Sequence, residues 1–321
     1  MLISSLFLIV GFTLLIMGAD YLVKGASAIA KKFKVPDLVI GLTIVSIGTS
    51  APELSVNIIA GIDNSSGLAL GNVLGSNLFN FLIVIGVAAL IRPISLQKKT
   101  VKLEIPFTVI VSAILIVLMG GFIPTFSPGK VDRIDGFILI TFFAIFLGYI
   151  LYSSKKSSTP ELEIDEIPQK EYSFAISSLF IIGGLGALIW GGDIIVDHAT
   201  KIAVRFGMSD TLIGLTIVAL GTSLPELATS AVAAFRGKSD IAIGNVIGSN
   251  IFNILLVLGA TSLIIPLPIN NENIIDAYIA LASTIVVVIF SLTGKKHYIS
   301  RIEGALLILL YFVYMWYIFY R

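Results

Sequence analysis

Long apolar segments separated by short polar ones run through the whole chain. A bilayer-crossing helix needs about 20 mostly apolar residues, and the continuous Leu, Ile, Val and Phe runs contradict the alternating segments of a transmembrane β-barrel. The sequence predicts ten membrane spans, at about residues 2–22, 38–61, 68–91, 104–123, 134–152, 173–195, 211–235, 240–265, 274–292 and 302–320.

The composition agrees with a multi-pass protein of the cell membrane. Hydrophobic residues make up 56% of the chain and charged residues 13%, about half the 25% typical of soluble domains. The formal net charge of +1 gives no reason to expect a nucleic-acid partner. Cysteine is absent and only two histidines occur, which argues against disulfides, thiolate chemistry and a histidine-based zinc site. We expect the lipid bilayer as a partner, no cofactor and no obligatory protein partner.

The Lys and Arg residues are unevenly divided between the two sides of the predicted membrane. About 16 lie on one side and 5 on the other. The positive-inside rule assigns the richer side to the cytoplasm. Both termini are then extracellular, and residues 153–172 form a cytoplasmic linker.

The chain contains an internal repeat. Residues 41–86 align without a gap on residues 214–259, and 25 of the 46 positions are identical. The first copy contains GLTIVSIGTSAPEL and ALGNVLGSNLFN, and the second contains GLTIVALGTSLPEL and AIGNVIGSNIFN. Weaker matches pair Asp20 with Asp193 and Arg133 with Arg301.

The repeat predicts how the spans are arranged. Each half holds five spans, and an odd number gives the second half the opposite orientation in the membrane. We therefore predict an all-α membrane fold of ten transmembrane helices in two inverted five-helix repeats, residues 1–152 and 173–321. Inverted repeats are typical of secondary transporters, which bind substrate near the bilayer midplane.

Spans two, three, seven and eight contain many polar residues and should face the protein interior. Pro52 and Pro225 are predicted to break spans two and seven, because proline lacks an N–H and clashes with the preceding turn. The breaks should free backbone carbonyls about one turn upstream, around Ser46–Thr49 and Ala219–Thr222.

Oxygen-bearing side chains cluster around the predicted breaks. Glu53 and Glu226 follow the prolines directly. In the second motif each serine shares a helical face with an asparagine four residues later. Carboxylate, hydroxyl and carbonyl oxygens are the ligands that Ca²⁺ prefers, with Na⁺ as a competitor of similar size. The hydroxyls at the breaks are Thr49, Ser50, Thr222 and Ser223, the second-motif pairs are Ser76 with Asn80 and Ser249 with Asn253, and Gly71, Gly75, Gly244 and Gly248 form small-residue faces that allow close helix approach.

The two glutamates require compensation inside a membrane. A charged group at the bilayer midplane costs about 3 kcal/mol on insertion scales, and spans two, three, seven and eight contain no Lys or Arg. A bound cation or protonation must therefore compensate Glu53 and Glu226, and the alternative reading is that they are merely buried groups held neutral. Asp20 and Asp193 are expected near span ends, where a carboxylate reaches headgroup water.

The paired GTSxPE and GNVxGSNxFN motifs resemble those of the cation/Ca²⁺ antiporter superfamily, and the chain most resembles the prokaryotic sodium/calcium exchangers over essentially its whole length. The resemblance implies a secondary active antiporter, not an enzyme, which exchanges about three Na⁺ for one Ca²⁺ by alternating access. It implies that Glu53 and Glu226 are the main Ca²⁺ ligands, aided by backbone oxygens near Thr49 and Thr222.

The resemblance also implies Na⁺ sites and exchange that does not require K⁺. Potassium-dependent relatives have Asp at the position of Asn253, so Asn here implies exchange without a K⁺ requirement. The implied Na⁺ ligands are the Ser46 carbonyl, Ser50, Ser76 and Glu53 on one side and the Ala219 carbonyl, Thr222, Ser223, Ser249 and Glu226 on the other, with Asn80 and Asn253 lining the middle.

Three other functions stay open. In a Ca²⁺/H⁺ exchanger the same two glutamates would carry protons on the return step. A cation channel would use them as a selectivity ring, but two inverted halves in one chain argue against it. An intramembrane hydrolase would use them as acid and base, but no nucleophile or metal motif accompanies them.

Overall fold

The described part of the chain is almost entirely helical. A computed structural model describes residues 2–62, 66–121, 129–156, 172–207, 219–293 and 297–320. The α-helices are α1 Leu2–Phe33, α2 Asp37–Ile40, α3 Ser46–Thr49, α4 Ala51–Ile62, α5 Ser66–Phe79, α6 Ile85–Ile91, α7 Ile105–Leu118, α8 Arg133–Lys156, α9 Phe174–Arg205, α10 Ala219–Gly221, α11 Leu224–Phe235, α12 Ser239–Phe252, α13 Gly259–Ile264, α14 Asn271–Leu292 and α15 Arg301–Tyr320. The π-helical segments Gly41–Val45, Asn80–Val84, Thr100–Glu104 and Asn253–Leu258 run directly into α3, α6, α7 and α13.

The lengths and composition of these helices confirm a multi-pass helical membrane protein. Among the described residues, eight helices are long and apolar enough to cross a membrane, and the bent pair formed by 37–49 and 51–62 makes a ninth. The predicted seventh span, 211–235, begins within residues 208–218, which lie outside the described residues. Most of the predicted linker, 157–171, also lies outside them. The ten-helix arrangement and the domain boundaries therefore stay predictions.

Helices α1 and α9 are longer than predicted. They end at Phe33 and Arg205 rather than at residues 22 and 195. Counting apolar residues identified only the apolar part of each helix. The helical backbone continues beyond that part, to a residue whose backbone conformation ends the helix. Pro36 follows the end of α1, and Gly207, with φ +79°, follows the end of α9.

The two long helices pack closely against each other in opposite directions. A Cβ added to Gly18 would lie 2.8 Å from the Gly184 carbonyl oxygen, and one added to Gly25 would lie 2.7 Å from the Ser177 carbonyl oxygen. As the residue number in α1 rises, that of its partner in α9 falls, so the helices are antiparallel. These are the first and sixth predicted spans, which correspond in the repeat.

The third and eighth spans form the interior. In the most apolar window of each helix, 94% of residues are buried for Ser239–Ile264 and 72% for Gly67–Ile91, against at most 44% in the other described spans. This confirms their predicted interior position, and the large values arise because other helices surround them.

Glycines in α12 allow the first half of span two to approach closely, as predicted. A Cβ added to Gly244 would lie 2.8 Å from the Leu38 carbonyl oxygen, and one added to Gly248 would lie 2.5 Å from Ser46 Oγ. The repeat places the corresponding partners of Gly71 and Gly75 at about residues 211–219, most of which lie outside the described residues, so that part of the prediction stays open.

Two short β pairings join the loops, a detail that the all-α prediction did not include. Strands β1 (Ile94–Ser95) and β4 (Tyr298–Ile299) pair antiparallel, as do β2 (Lys130–Val131) and β3 (Leu267–Pro268). Strands β1 and β3 each follow a helix that a proline ends, because the residue before proline favours extended backbone. The pairings correspond under the repeat, since β1 and β3 follow spans three and eight, while β4 and β2 precede the last spans of the two halves.

Candidate functional site

Both predicted helix breaks occur at the repeated prolines. In the first half, α3 ends at Thr49, α4 begins at Ala51, and the helices on either side are bent by 44°. In the second half, α10 ends at Gly221 and α11 begins at Leu224. The missing proline N–H explains the interruption. Each glutamate then lies in the first turn of the helix after the break, where the helix dipole favours negative charge.

The two carboxylates are held by serines of the opposite half. Ser50 Oγ donates to Glu226 Oε1 at 3.0 Å, and Ser223 Oγ lies 3.1 Å from Glu53 Oε1. Both glutamates are fully buried. Each break therefore contributes one glutamate and one serine, and each serine binds the glutamate of the opposite half.

The third and eighth spans add hydroxyls to the same cluster. Ser249 Oγ donates to Glu226 Oε1 at 3.2 Å, and the hydroxyl oxygens of Ser76 and Ser223 are 3.0 Å apart. The structure thus brings six predicted residues into a cluster of two hydrogen-bonded groups, one around Glu226 with Ser50 and Ser249 and one around Ser223 with Glu53 and Ser76. They are Ser50, Glu53, Ser76, Ser223, Glu226 and Ser249.

The buried oxygens of this cluster have no cationic partner in the described part of the chain. Oε2 of Glu53 and Oε2 of Glu226 are buried without a hydrogen-bond partner there. The ion pairs formed by described residues involve Asp20, Asp37 and Asp197, and none includes either glutamate. Burying an unpaired carboxylate is costly, so this arrangement favours a bound cation or a proton.

The donor set suits a hard cation. No group of three or more His, Cys, Asp or Glu side chains among the described residues could hold a metal. A cation at the centre would instead have two carboxylates surrounded by neutral hydroxyl and amide oxygens. Such all-oxygen sets fit Ca²⁺, and one Ca²⁺ would neutralise two carboxylates.

The two predicted middle asparagines, Asn80 and Asn253, each begin a π-helical segment. Such wider turns occur often at functional sites. Asn253 Nδ2 donates to Asn77 Oδ1 at 3.1 Å, and Asn77 Nδ2 donates to the Asn250 carbonyl oxygen at 3.4 Å. Asn80 and Asn253 are fully buried, and neither amide atom of Asn80 has a hydrogen-bond partner among the described residues.

The predicted backbone ligands differ between the halves. The Ser46 carbonyl oxygen accepts from Ser50 N at 3.0 Å, so the break leaves this carbonyl hydrogen-bonded. In the second half, Ser223 N donates to the Leu220 carbonyl oxygen at 3.2 Å, and Ala219 begins α10. Their roles as ion ligands stay predictions.

Sequence reasoning did not single out the asparagines that hold the predicted threonine ligands. Thr49 Oγ1 donates to Asn245 Oδ1 at 3.1 Å, and Thr222 Oγ1 donates to Asn72 Oδ1 at 3.4 Å. Asn72 and Asn245 are the first asparagines of the repeated GNVxGSN motif, and that repetition was the signal that could have identified them.

A cleft of about 450 Å³ lies between α9 and the two breaks. Asp193 and Asp197 lie on its α9 wall, and Thr222, the residue before Ser223, lines it at the second break. The lining residues are Ala51, Pro52, Ser55, Val56, Ile189, Gly192, Asp193, Val196, Asp197, Gly221, Thr222 and Pro225.

Asp20, which corresponds to Asp193, has a different environment. It lies within α1, which continues past the predicted span to Phe33, and its expected place near a span end stays a prediction. Its carboxylate binds Lys24 at 2.7 Å and accepts from Arg236 Nε at 2.6 Å. This ion pair joins α1 to the end of α11.

Buried carboxylates at helix breaks, inside a bundle of apolar helices, are typical of membrane transporters for cations. The comparisons with known proteins agree with that class. The sodium/calcium exchanger protein family matches residues 3–152 and 176–320, so the chain belongs to this family. Its members are exchangers rather than enzymes.

Relatives of similar length match over nearly the whole chain. The putative antiporter CaxA of Alkalimonas amylolytica is 38% identical and covers 99% of both chains. The sodium/calcium exchanger MaX1 of Methanosarcina acetivorans is 34% identical, also with 99% of each chain covered. The solved structure of the sodium-calcium exchanger NCX_Mj soaked with zero Na⁺ and Ca²⁺ matches with a TM-score of 0.84, 32% identity and coverage of 98% of this chain and 99% of that one.

Proposed function

We propose that this protein exchanges Na⁺ for Ca²⁺ across the cell membrane, with both ions binding between Glu53 and Glu226. The observation that carries the proposal is the reciprocal pair of hydrogen bonds from Ser50 to Glu226 and from Ser223 to Glu53. It concentrates two buried carboxylates and several neutral oxygens at one place, without a Lys or Arg partner among the described residues. The names of CaxA and MaX1 support antiport and Na⁺/Ca²⁺ exchange respectively.

Competition for the same carboxylates explains obligatory exchange. One Ca²⁺, or several Na⁺ sharing the hydroxyl and carbonyl oxygens, would neutralise the two negative charges. An empty site would keep its charge exposed to a low-dielectric surrounding and would resist the change of access. Exchange of about three Na⁺ for one Ca²⁺ moves net charge and responds to voltage.

The proposed site residues are the twelve predicted from the sequence, in two matching sets. The first half contributes Ser46, Thr49, Ser50, Glu53, Ser76 and Asn80. The second half contributes Ala219, Thr222, Ser223, Glu226, Ser249 and Asn253. Asn253 leaves only two core carboxylates, which argues for exchange without a K⁺ requirement.

The proposed fold is two inverted five-helix repeats with both termini outside the cell. The antiparallel contact of α1 with α9 and the corresponding β pairings support inversion, and the two separate family matches, to 3–152 and 176–320, support the two halves. With this orientation the cleft beside Asp193 opens towards the outside. The Asp20–Arg236 ion pair then lies towards the cytoplasm.

The alternative is Ca²⁺/H⁺ exchange at the same site. The buried and unpartnered Oε2 atoms of Glu53 and Glu226 specifically favour it, because each could hold a proton when Ca²⁺ leaves. The nearby Ser and Thr oxygens favour Na⁺, since a proton needs no such set of neutral ligands.

The test is ⁴⁵Ca²⁺ uptake into proteoliposomes that contain the full chain, driven in parallel by internal Na⁺, by internal K⁺ or by a proton gradient. We expect uptake with internal Na⁺ alone, unchanged by K⁺ and altered when valinomycin sets the membrane potential. Uptake driven only by protons would contradict Na⁺ coupling and assign the protein to Ca²⁺/H⁺ exchange.

A further inference from the structure

A chain of hydrogen bonds leads from the Thr49 hydroxyl away from the carboxylate cluster. Thr49 Oγ1 donates to Asn245 Oδ1 at 3.1 Å, and Asn245 Nδ2 donates to Ser230 Oγ at 3.0 Å. Ser230 Oγ in turn donates to the Ala242 carbonyl oxygen at 3.3 Å. The three polar side chains are fully buried, so water does not compete for these bonds.

The matching residues of the other half form a second chain of the same kind. Thr222 Oγ1 donates to Asn72 Oδ1 at 3.4 Å, and Asn72 Nδ2 donates to Asn57 Oδ1 at 2.6 Å. Asn57 Nδ2 then donates to the Ala69 carbonyl oxygen at 3.0 Å. Asn57 and Ser230 are the third side chains of the two hydrogen-bond chains. We call this place the third position, and the asparagine and the serine make equivalent bonds there.

The backbone carbonyl at the end fixes the direction of every bond in each chain. A carbonyl only accepts, so Asn57 or Ser230 must donate to it and accept from the next asparagine. The amide nitrogen of that asparagine then faces outwards and its oxygen faces the threonine. A threonine hydroxyl has one hydrogen. For Thr49, Asn245 Oδ1 at 3.1 Å is a nearer acceptor than the Ser46 carbonyl oxygen at 3.4 Å, and the carboxylates of Glu226 and Glu53 compete for the hydrogens of Thr49 and Thr222. When the hydrogen points to the asparagine, only oxygen lone pairs remain for a group on the other side of the threonine.

We propose that Asn57 and Asn72 in one chain, and Ser230 and Asn245 in the other, are positioning residues for the transported cation. They hold the hydroxyl hydrogens of Thr222 and Thr49 away from the centre, so that a cation meets lone pairs. This inference rests on the proposed function, because it assigns the ligand of the threonine oxygens.

The physical reason is competition with the carboxylates. A freely rotating hydroxyl near an unpaired carboxylate turns its hydrogen towards that charge, and a cation must then reverse it before the oxygen can bind. Orienting the hydroxyl in advance removes this cost, as the outer hydrogen bonds of metal ligands do. Each threonine is oriented by an asparagine of the opposite half, so the two halves depend on each other.

Because Asn57 and Ser230 correspond in the repeat, each residue can be replaced either by alanine or by the residue found at the other position. Asn57→Ala removes both bonds at the third position, whereas Asn57→Ser places there the residue that performs the task in the other half. Ser230→Ala and Ser230→Asn form the corresponding pair. Neither position touches the glutamates in the described hydrogen-bond network.

The experiment measures Na⁺-driven ⁴⁵Ca²⁺ uptake as a function of Na⁺ concentration in proteoliposomes. We expect Asn57→Ala to raise the KM for Na⁺ about tenfold, with kcat within about twofold of the parent, and Asn57→Ser to restore most of the affinity. Ser230→Ala should raise KM only about threefold, because Asn245 Nδ2 also donates to the Glu226 carbonyl oxygen at 3.4 Å. Ser230→Asn should resemble the parent.

Equal KM values for the Ala and Ser variants at position 57 would overturn the proposal, whether both are normal or both impaired. Failure of both alanine variants to give monodisperse protein would also overturn it, because the residues would then be needed for folding. If the parent shows no Na⁺-driven uptake, the proposed function fails instead. ²²Na⁺ binding to the purified variants then makes the same comparison without transport.

Discussion

The two serines at the helix breaks make matching bonds at the centre of the molecule, whereas two aspartates that correspond in the repeat have different surroundings towards its edges. At the centre, Ser50 and Ser223 each bind the glutamate of the opposite half. Away from it, Asp20 is paired with Lys24 and Arg236, whereas the corresponding Asp193 lines an open cleft. The structure therefore combines a nearly symmetric arrangement of serines and glutamates at the proposed ion site with an asymmetric environment at Asp20 and Asp193.

This difference suggests how one sequence repeat would serve the proposed alternating access. A site with equal contributions from both halves can present the same ligands to either side. The asymmetry in access would then reverse when α1 and α9 move relative to the core. Helix α1 is tied to the core on the Asp20 side, and the cleft is open on the Asp193 side.

The largest effect is expected at the shared centre. Glu53→Gln and Glu226→Gln should each reduce Na⁺-driven Ca²⁺ uptake about 100-fold or more, because removing one charge leaves Ca²⁺ incompletely neutralised in a buried site. Initial rates in proteoliposomes, normalised to reconstituted protein, measure this. Similar losses support equal contributions, and normal uptake in either variant would contradict a shared site.

The next largest effect concerns helix packing in the two halves. Gly244→Val should destabilise the protein by about 1–3 kcal/mol, because an added Cβ would lie 2.8 Å from the Leu38 carbonyl oxygen. The thermal unfolding midpoint in detergent measures the loss. Gly71→Val should produce a similar decrease if its partners predicted by the repeat, outside the described residues, pack as Leu38 does. Gly148→Val is the control, since no described atom lies within 4 Å of a Cβ added at either Gly71 or Gly148. A stable Gly71→Val protein would break the symmetry between the halves.

A smaller effect is expected at Asp20, whose ion pair has no counterpart at Asp193 in the described part of the chain. Arg236→Gln removes the contact of α11 with Asp20, and we expect the extracellular KM for Ca²⁺ to rise about threefold, since the partly exposed pair is screened by solvent. Lys201→Gln, which removes the exposed ion pair with Asp197, is the control. Right-side-out vesicles give the measurement, and an unchanged KM would show that this contact does not favour the outward-open arrangement.

The smallest effect is expected from the carboxylate on the cleft wall. Asp193→Asn should raise the KM for Ca²⁺ about twofold at low ionic strength, because a negative wall raises the local cation concentration. Salt screens charges beyond about 10 Å at 0.1 M. The difference should therefore shrink as choline chloride is added, and a salt-independent change would indicate a direct ligand instead.

Local chemistry explains which features could be predicted from the sequence. Pro52 and Pro225 determine the two breaks through their missing N–H groups, and the repeated motif identified the serines and glutamates that the structure brings together. Helix length was harder, because the end of α1 depends on Pro36 and not on where the apolar run stops. Apolar counting could not show this.

Contacts between different residue types were the least predictable part. Asn57 and Ser230 occupy equivalent places and make equivalent bonds, but their identities differ, so comparing the two copies did not mark them. Their position four residues after each glutamate, on the same helical face, was the available signal. The Asp20–Arg236 pair joins residues far apart in the chain, and only the folded structure brings them together.

The central claim is that Na⁺ and Ca²⁺ compete for one site between Glu53 and Glu226. Equilibrium binding of ⁴⁵Ca²⁺ to the purified protein during a Na⁺ titration tests it most directly. We predict one Ca²⁺ per chain, displaced by Na⁺ with a Hill coefficient above 1, and no such binding in Glu53→Gln or Glu226→Gln. Ca²⁺ binding that Na⁺ leaves unchanged, or that persists in both variants, would contradict the account.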